Sequence, residues 1–430
     1  MARLGARIRK DTMETMKTLG TAAVARSPMS PGTNISKVSC VPGVLQPPTV
    51  GQGLKTTNGN MVRLGDVATY INGYAFKPAD WSTEGVLIIR IQDLTGNSYK
   101  ANRFKGKIDK RYEVLNGDVL ISWSASLGVY VWSGEKAVLN QHIFKVQFDK
   151  TQVDKSFFVH QVECILKRAI GEAHGATMKH LTKPAFDALP FYLPDIQKQK
   201  AIADSLDKIS HLITLRKQQL SKLDELVKSR FVEMFGDVTV NDREWETAAL
   251  PELGELNRGV SKARPRNSPE LLGGPYPLVQ TGDVSNSGLW IKNYSSTYSD
   301  KGLAQSRLWK RGTLCITIAA NIAQTAILDF DACFPDSVVG FVPNERTDAI
   351  FIHYWFSFFQ KILEAQAPQV AQKNINLRIL SDLKVVEPPL SLQREFAAFV
   401  ARVDKLALRA KGSLEKLETL KKAMMQKYFN

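Results

Sequence analysis

The sequence predicts an α+β chain built twice over: two mixed α/β domains related by internal pseudo-symmetry, joined by two long helices that form an intramolecular antiparallel coiled coil. Three observations carry this. Residues 194–236 match 388–430 at a constant offset of 194 without a gap, so that Pro194, Gln199, Leu206, Leu212 and Phe235 meet Pro388, Gln393, Val400, Leu406 and Phe429. Self-similarity at a fixed period marks a duplicated unit. Both matched segments space their apolar residues in alternating steps of four and three, the signature of a coiled-coil seam. Upstream of each lie short, β-branched runs bounded by glycine, as strands should be.

The elements follow in order. Residues 1–60 carry eight basic and two acidic side chains and two stretches rich in Pro, Gly, Ser and Thr. They lack the periodicity of a core and are expected to be a disordered or artefactual extension, with Met61 an alternative start; an acid-poor transit peptide is the rival reading. Residues 61–194 form the first domain, 195–236 the central helix, 237–390 the second domain and 391–430 the C-terminal helix. Strands are expected over Val86–Ile91, Asp118–Ser122 and Thr313–Ile318, and helices over Asp154–Ile170 and Asp348–Ala365. The upstream halves repeat more loosely. Leu64 and Gly73 answer to Leu250 and Gly259, and Ile91-Gln92-Asp93-Leu94 to Thr281-Gly282-Asp283-Val284. The seams are Ile202, Leu206, Ile209, Ile213, Leu220, Leu223, Val227 and Met234, interrupted by Arg216 and Arg230, and Phe396, Val400, Val403, Ala407, Ala410, Leu414, Leu417, Met424 and Tyr428. Pairing them with each other is the economical solution; packing of each on its own domain, or pairing with another protein, stays open.

Composition narrows the function. With 57 Lys plus Arg against 42 Asp plus Glu the formal net charge is +15, a balance that favours polyanions as partners. The four cysteines, at 40, 164, 315 and 333, form no C-x-x-C pair, which argues against disulfides and structural zinc, and the expected compartment is a reducing cytoplasm. The most apolar window, 349–363, is broken by His353, Tyr354, Gln360 and Lys361 and falls short of the ~18 apolar residues of a membrane span.

Catalytic signatures are absent from the sequence. There is no phosphate-binding Gly-x-x-x-x-Gly-Lys loop, no Gly-x-Gly-x-x-Gly turn and no Asn/Asp-Pro-Pro-aromatic tetrapeptide of the amino-methyltransferases; Glu387-Pro388-Pro389-Leu390 has the wrong ends. Asp195 with Lys198 and Lys200 lacks the second acid of a nuclease cluster, and His142 in Asn140-Gln141-His142 is expected to be structural. Two basic segments stand out instead. Residues 99–112 hold six cations among three aromatic rings, and 257–267 hold Arg258, Lys262, Arg264 and Arg266 with no acid. Such loops follow phosphates or read base edges, although a solvated basic loop is the plain alternative for either one.

The order of motifs resembles the specificity subunits of type I restriction-modification enzymes. It runs Ile-x-Asp-Leu, Gly117-Asp118-Val119-Leu120-Ile121-Ser122, Asn140-Gln141-His142, Thr177-Met178-Lys179-His180-Leu181, then a Pro-x-x-x-x-Gln helix start. The likeness covers about 61–430; the second copy departs from it at Gly312-Thr313-Leu314, Pro335-Asp336-Ser337 and Gln372-Lys373-Asn374. The resemblance implies a non-catalytic DNA-binding subunit whose two target-recognition domains each bind half of a split, asymmetric double-stranded site. The helices would set the spacing between halves and dock two methyltransferase subunits, with restriction/translocase subunits joining for cleavage and no membrane involved. S-adenosylmethionine, ATP and Mg would bind those partners, none of them this chain. On this reading Lys77, Lys105, Lys107, Lys179, Arg258, Lys262, Arg264, Arg266, Lys373 and Asn374 contact DNA, and no residue is catalytic or holds a metal. A modification-only methyltransferase system and a non-DNA coiled-coil scaffold are the rivals.

Overall fold

The computed structural model describes residues 59–96, 101–172, 182–319, 322–366 and 375–429. The described residues divide into two compact units, one within Leu215–Leu414 and a discontinuous one in which those of 59–214 are joined by those of 415–429. Each long helix, Ile196–Phe235 and Leu390–Phe429, therefore gives part of its length to each unit.

In the discontinuous unit, Gly59–Arg63 pairs antiparallel with Pro190–Pro194, and thus takes in two residues ahead of the expected domain start. One four-stranded sheet runs Thr69–Asn72, Ile143–Gln147, Val119–Ser122, Gly128–Val131; another runs Arg103–Phe104, Val86–Ile89, Ala137–Leu139, Glu113–Val114. The run Val86–Ile91 is a strand only as far as Ile89. Ile91–Thr95 is a helical turn, because the Asp93 carboxylate accepts the Arg90 N–H at 2.8 Å and caps it. Asp283 does the same for Gln280 at 2.8 Å. Helix Lys155–Glu172 buries Phe157, Phe158, Val162 and Leu166 against Phe186 and Phe191.

The continuous unit repeats the plan. Thr247–Ala249 pairs with Lys384–Val386, and a five-stranded sheet runs Gly254–Arg258, Val338–Pro343, Leu314–Thr317, Thr325–Leu328, Trp290–Ile291. Helix Ala349–Gln366 covers it with Phe351, Ile352, Trp355 and Phe356.

The seam positions fall on the buried or half-buried side at every step of both helices. In the continuous unit Phe231 and Phe235 meet Phe396 at ring-centroid distances of 5.3 and 5.6 Å, and Arg230 bonds Glu395 at 3.1 Å. In the other, Ile202, Ala203 and Leu206 share a core with Met425 and Phe429. In both, the start of one helix lies beside the end of the other, which is antiparallel pairing. The same faces also pack on the domains: Phe429 lies 5.5 Å from Phe157, and Phe231 5.6 Å from Phe351. Helix-to-helix and helix-to-domain packing are thus realised together.

Buried polar side chains tie each helix start to its domain. Gln199 accepts the Asp154 N–H at 2.8 Å and donates to the Pro194 carbonyl at 2.8 Å; at the repeat position Gln393 accepts the Asp348 N–H at 3.0 Å and donates to the Pro388 carbonyl at 2.8 Å. Both glutamines are buried, so truncation orphans donor and acceptor alike. Gln199→Ala and Gln393→Ala are each expected to cost about 1–3 kcal/mol in denaturant unfolding, and a loss under about 0.5 kcal/mol would contradict these roles. The discontinuous unit adds a tie that the other lacks. Asp207 accepts from His160 Nε2 at 2.7 Å and Ser156 Oγ at 2.5 Å. Burial opposes its charge, but these hydrogen bonds outweigh it and hold the carboxyl below the ordinary range.

Candidate nucleic-acid interface

Each domain builds its exposed loop on a glycine that lets two backbones touch. A Cβ on Gly73 would stand 2.0 Å from the Asn140 carbonyl oxygen, and one on Gly259 would stand 2.3 Å from those of Phe334 and Pro335. Gly73 N–H donates to Ile143 O at 3.0 Å and Gly259 N–H to Val338 O at 2.8 Å. The repeat is therefore kept in hydrogen bonds where the sequences diverge, and it sets Gln141 opposite Asp336 and His142 opposite Ser337.

In the first domain the Gly73 loop lies along Asn140-Gln141-His142, with Tyr74 N–H bonded to Leu139 O and Gln141 N–H to Tyr74 O, both at 2.8 Å. A file of rings then joins this loop to the basic segment: Tyr112, Tyr74, Phe76 and Phe104 follow one another at 5.5, 5.0 and 5.2 Å. It brings together three of the expected contact residues. Lys77 is exposed, with its backbone N–H tied to Asp80 at 2.7 Å. Lys105 pairs with Glu84 at 2.8 Å, both side chains more than 70% exposed; such a pair is worth about 0–1 kcal/mol and is no obstacle to a phosphate. Lys107 is exposed. Arg103 is spent on Gly85 O and Glu135, at 2.8 and 2.7 Å, while Arg111 lies 4.6 Å over the Tyr112 ring.

His142 has φ +72° and packs 4.9 Å from Trp123, whose Nε1–H donates to Asn72 at 3.2 Å. Sequence reading missed Trp81, 46% exposed with the Arg90 guanidinium 5.6 Å from its ring centroid. Nothing in the spacing of those two residues foretells the contact.

In the second domain the basic loop closes on one acid. Arg258 Nε–H donates to the Asp336 carbonyl at 2.9 Å, Arg266 bonds the Asp336 carboxylate at 2.6 Å, and Arg264 stands 3.9 Å from it. Lys262 is exposed. Three guanidiniums and an ammonium against one carboxylate leave the loop strongly positive. Lys179 lies in 173–181 and Lys373 and Asn374 in 367–374, outside the described residues; beyond the latter, Asn376 caps Leu377–Ser381 by accepting from Ile379 N–H at 2.9 Å.

The weak nuclease-like cluster resolves into a helix cap, since Asp195 accepts the Lys198 N–H at 2.9 Å and the Lys198 ammonium sits 5.6 Å from the Tyr192 ring centroid. Among the described residues no group of three His, Cys, Asp or Glu is placed to hold a metal, and no helix is long and apolar enough to cross a membrane.

Comparison with known proteins agrees with the repeat. The family model described as the type I restriction modification DNA specificity domain matches twice, over 58–225 and 242–419. The type I restriction enzyme EcoBI specificity subunit of Escherichia coli is 24% identical over 416 residues, 88% of this chain and 87% of that one. The MjaVIII specificity subunit of Methanocaldococcus jannaschii is 22% identical over 396 residues, covering 85% and 90%. Among solved structures, the type I restriction-modification S subunit from M. genitalium superposes with a TM-score of 0.58 at 13% identity, over 88% of this chain and 98% of that one. A chain from a study of type I complex assembly and conformational transition gives 0.51 at 14% identity, over 87% and 98%.

Proposed function

The chain belongs to the type I restriction-modification DNA specificity family, as a non-catalytic, DNA-recognising specificity subunit, and from that premise we propose how it reads its site. Each domain binds one half of a split, asymmetric sequence in double-stranded DNA, and the helix pair sets the number of unread base pairs between the halves. One observation carries this reading: a shared backbone framework presents two different chemistries, a cation-flanked file of aromatic rings beside Gly73 and an arginine fan around Asp336 beside Gly259. Equal frames with unequal side chains suit two unlike half-sites. Lys77, Lys105 and Lys107 serve the first half, and Arg258, Lys262, Arg264 and Arg266 the second. Lys179, Lys373 and Asn374 are further DNA-binding residues proposed from sequence alone.

The partners follow from the same premise: methyltransferase subunits and restriction/translocase subunits, which bring S-adenosylmethionine, ATP and Mg. We assign two methyltransferase copies. Leu212 and Leu420 in one unit, and their repeat mates Leu406 and Leu226 in the other, stay 45–50% exposed on the long helices. Two equivalent apolar pairs suit two equivalent subunits.

Filter binding across a salt series tests the DNA reading. Neutralising a phosphate releases counterions, with a slope near −0.9 for each one neutralised. Replacing Arg258, Lys262, Arg264 and Arg266 together by alanine is expected to weaken binding and to flatten the slope by about one unit for each phosphate that is no longer neutralised. Unchanged affinity and slope would remove the loop from the interface, and no slope in the unsubstituted protein would leave a scaffold without DNA affinity.

A further inference from the structure

Arg266 is held differently from its neighbours. Arg264 turns its Nη1 back onto its own loop, donating to the carbonyls of Ser261 and Ala263 at 2.7 and 2.8 Å, and Arg258 is tied to the Asp336 backbone. Arg266 makes one side-chain hydrogen bond among the described residues, from Nη2 to the Asp336 carboxylate at 2.6 Å, and its side chain is 44% exposed. The rest of its five-donor fork is left for a ligand. The loop beneath is well fixed: Ala263 N–H donates to Gln305 Oε1 at 3.0 Å, and Ser306 Oγ–H to Val260 O at 2.7 Å.

The carboxylate decides which ligand that is. The Lys105–Glu84 pair is more than 70% exposed and parts readily for a phosphate, whereas Arg266 and Asp336 are 44% and 34% exposed, so a phosphate at Arg266 would also stand beside a half-buried carboxylate that repels it. A neutral base edge is not repelled, and a guanidinium braced on one side loses little rotamer freedom when the other side engages two acceptors. In the major groove the paired acceptors are guanine O6 and N7. We propose that Arg266, oriented by Asp336, reads a guanine in the half-site bound by the second domain, with Asp336 a positioning residue. The device is peculiar to this domain, because Gln141 holds the corresponding place in the first. The inference rests on the DNA-reading function above.

The test uses the full chain in complex with its methyltransferase, a duplex carrying the site mapped from methylated adenines, and a random duplex. In the unsubstituted complex, 7-deazaguanine at one guanine of the second half-site, which removes N7 and keeps O6, should weaken binding by part of the about 5- to 150-fold that one bidentate pair spans. Arg266→Ala and Arg266→Lys should show at least that loss on the normal site and no further loss from that 7-deazaguanine. Asp336→Asn should lose discrimination at the same base yet bind random duplex more tightly at low salt, since a negative charge has gone; a merely structural role would weaken both. Arg266→Lys keeps the test open if Asp336→Asn disturbs the loop. A half-site without guanine, an Arg266 variant with every 7-deazaguanine penalty intact, or full discrimination in Asp336→Asn would overturn the assignment. An unsubstituted complex that bound the mapped site no better than random duplex would instead sink the DNA-reading function itself.

Discussion

Removal of residues 425–430 is expected to open the discontinuous unit while the continuous one keeps its core. Met425 and Phe429 are 2% and 8% exposed and belong to the same apolar cluster as Leu64, Tyr70, Phe157, Phe191 and Leu206. The Arg168 guanidinium also donates to the Phe429 carbonyl. Truncating one buried Met or Phe to alanine costs about 2–5 kcal/mol, so losing both, with a turn of helix, takes most of the about 5–15 kcal/mol that holds a domain. Hydrogen exchange reads the outcome by region. Amides of Thr69–Asn72 and Val119–Ser122 should lose protection, and those of Leu314–Thr317 and Val338–Pro343 should keep it. Equal loss in both units, or in neither, would contradict the assignment of the chain's last turns to the core of its first domain.

Alanine at Gly73 or Gly259 is expected to damage one half of DNA recognition at a time. Their Cβ atoms would meet carbonyl oxygens at 2.0 and 2.3 Å, and backbone cannot swing aside as a side-chain tip can. Relieving such overlap costs about 1–3 kcal/mol or more and must shift the loop, Tyr74 to Lys77 in one case and Val260 to Arg266 in the other. Each glycine stands just past the end of a strand, Thr69–Asn72 or Gly254–Arg258, so thermal unfolding should show a folded protein with a modest loss. Binding to duplexes altered in one half-site at a time should show Gly73→Ala blind to changes in one half and Gly259→Ala blind to changes in the other. If either variant retained full discrimination at both halves, the loops would not be the readers.

Much of the framework was legible in the sequence, because it depends on period. The steps of four and three named every seam position, and the gapless offset from Pro194 to Phe235 foretold the matching roles of Gln199 and Gln393. What escaped was set by interactions without a period. Ile91 reads as the end of a strand by the β-branched run before it, yet the Asp93 carboxylate caps a helical turn that begins there. The basic segments were visible as charge, but which cations are spent was not. Arg266 and Asp336 stand 70 positions apart, Lys105 and Glu84 stand 21 apart, and Tyr74 and Tyr112, whose rings meet, stand 38 apart. The choice between pairing the helices and packing them on the domains dissolved for a related reason: buried residues beside the seam, such as Phe231 and Met425, serve both kinds of packing at once.

The central claim is that the two domains read separate halves of one DNA site, and mapping methylated adenines tests it most directly. DNA modified by the complex should yield one motif with two specified halves on either side of unspecified base pairs. With the Arg258, Lys262, Arg264 and Arg266 loop replaced, one half alone should relax. A continuous motif, or two halves that relax together, would contradict the account.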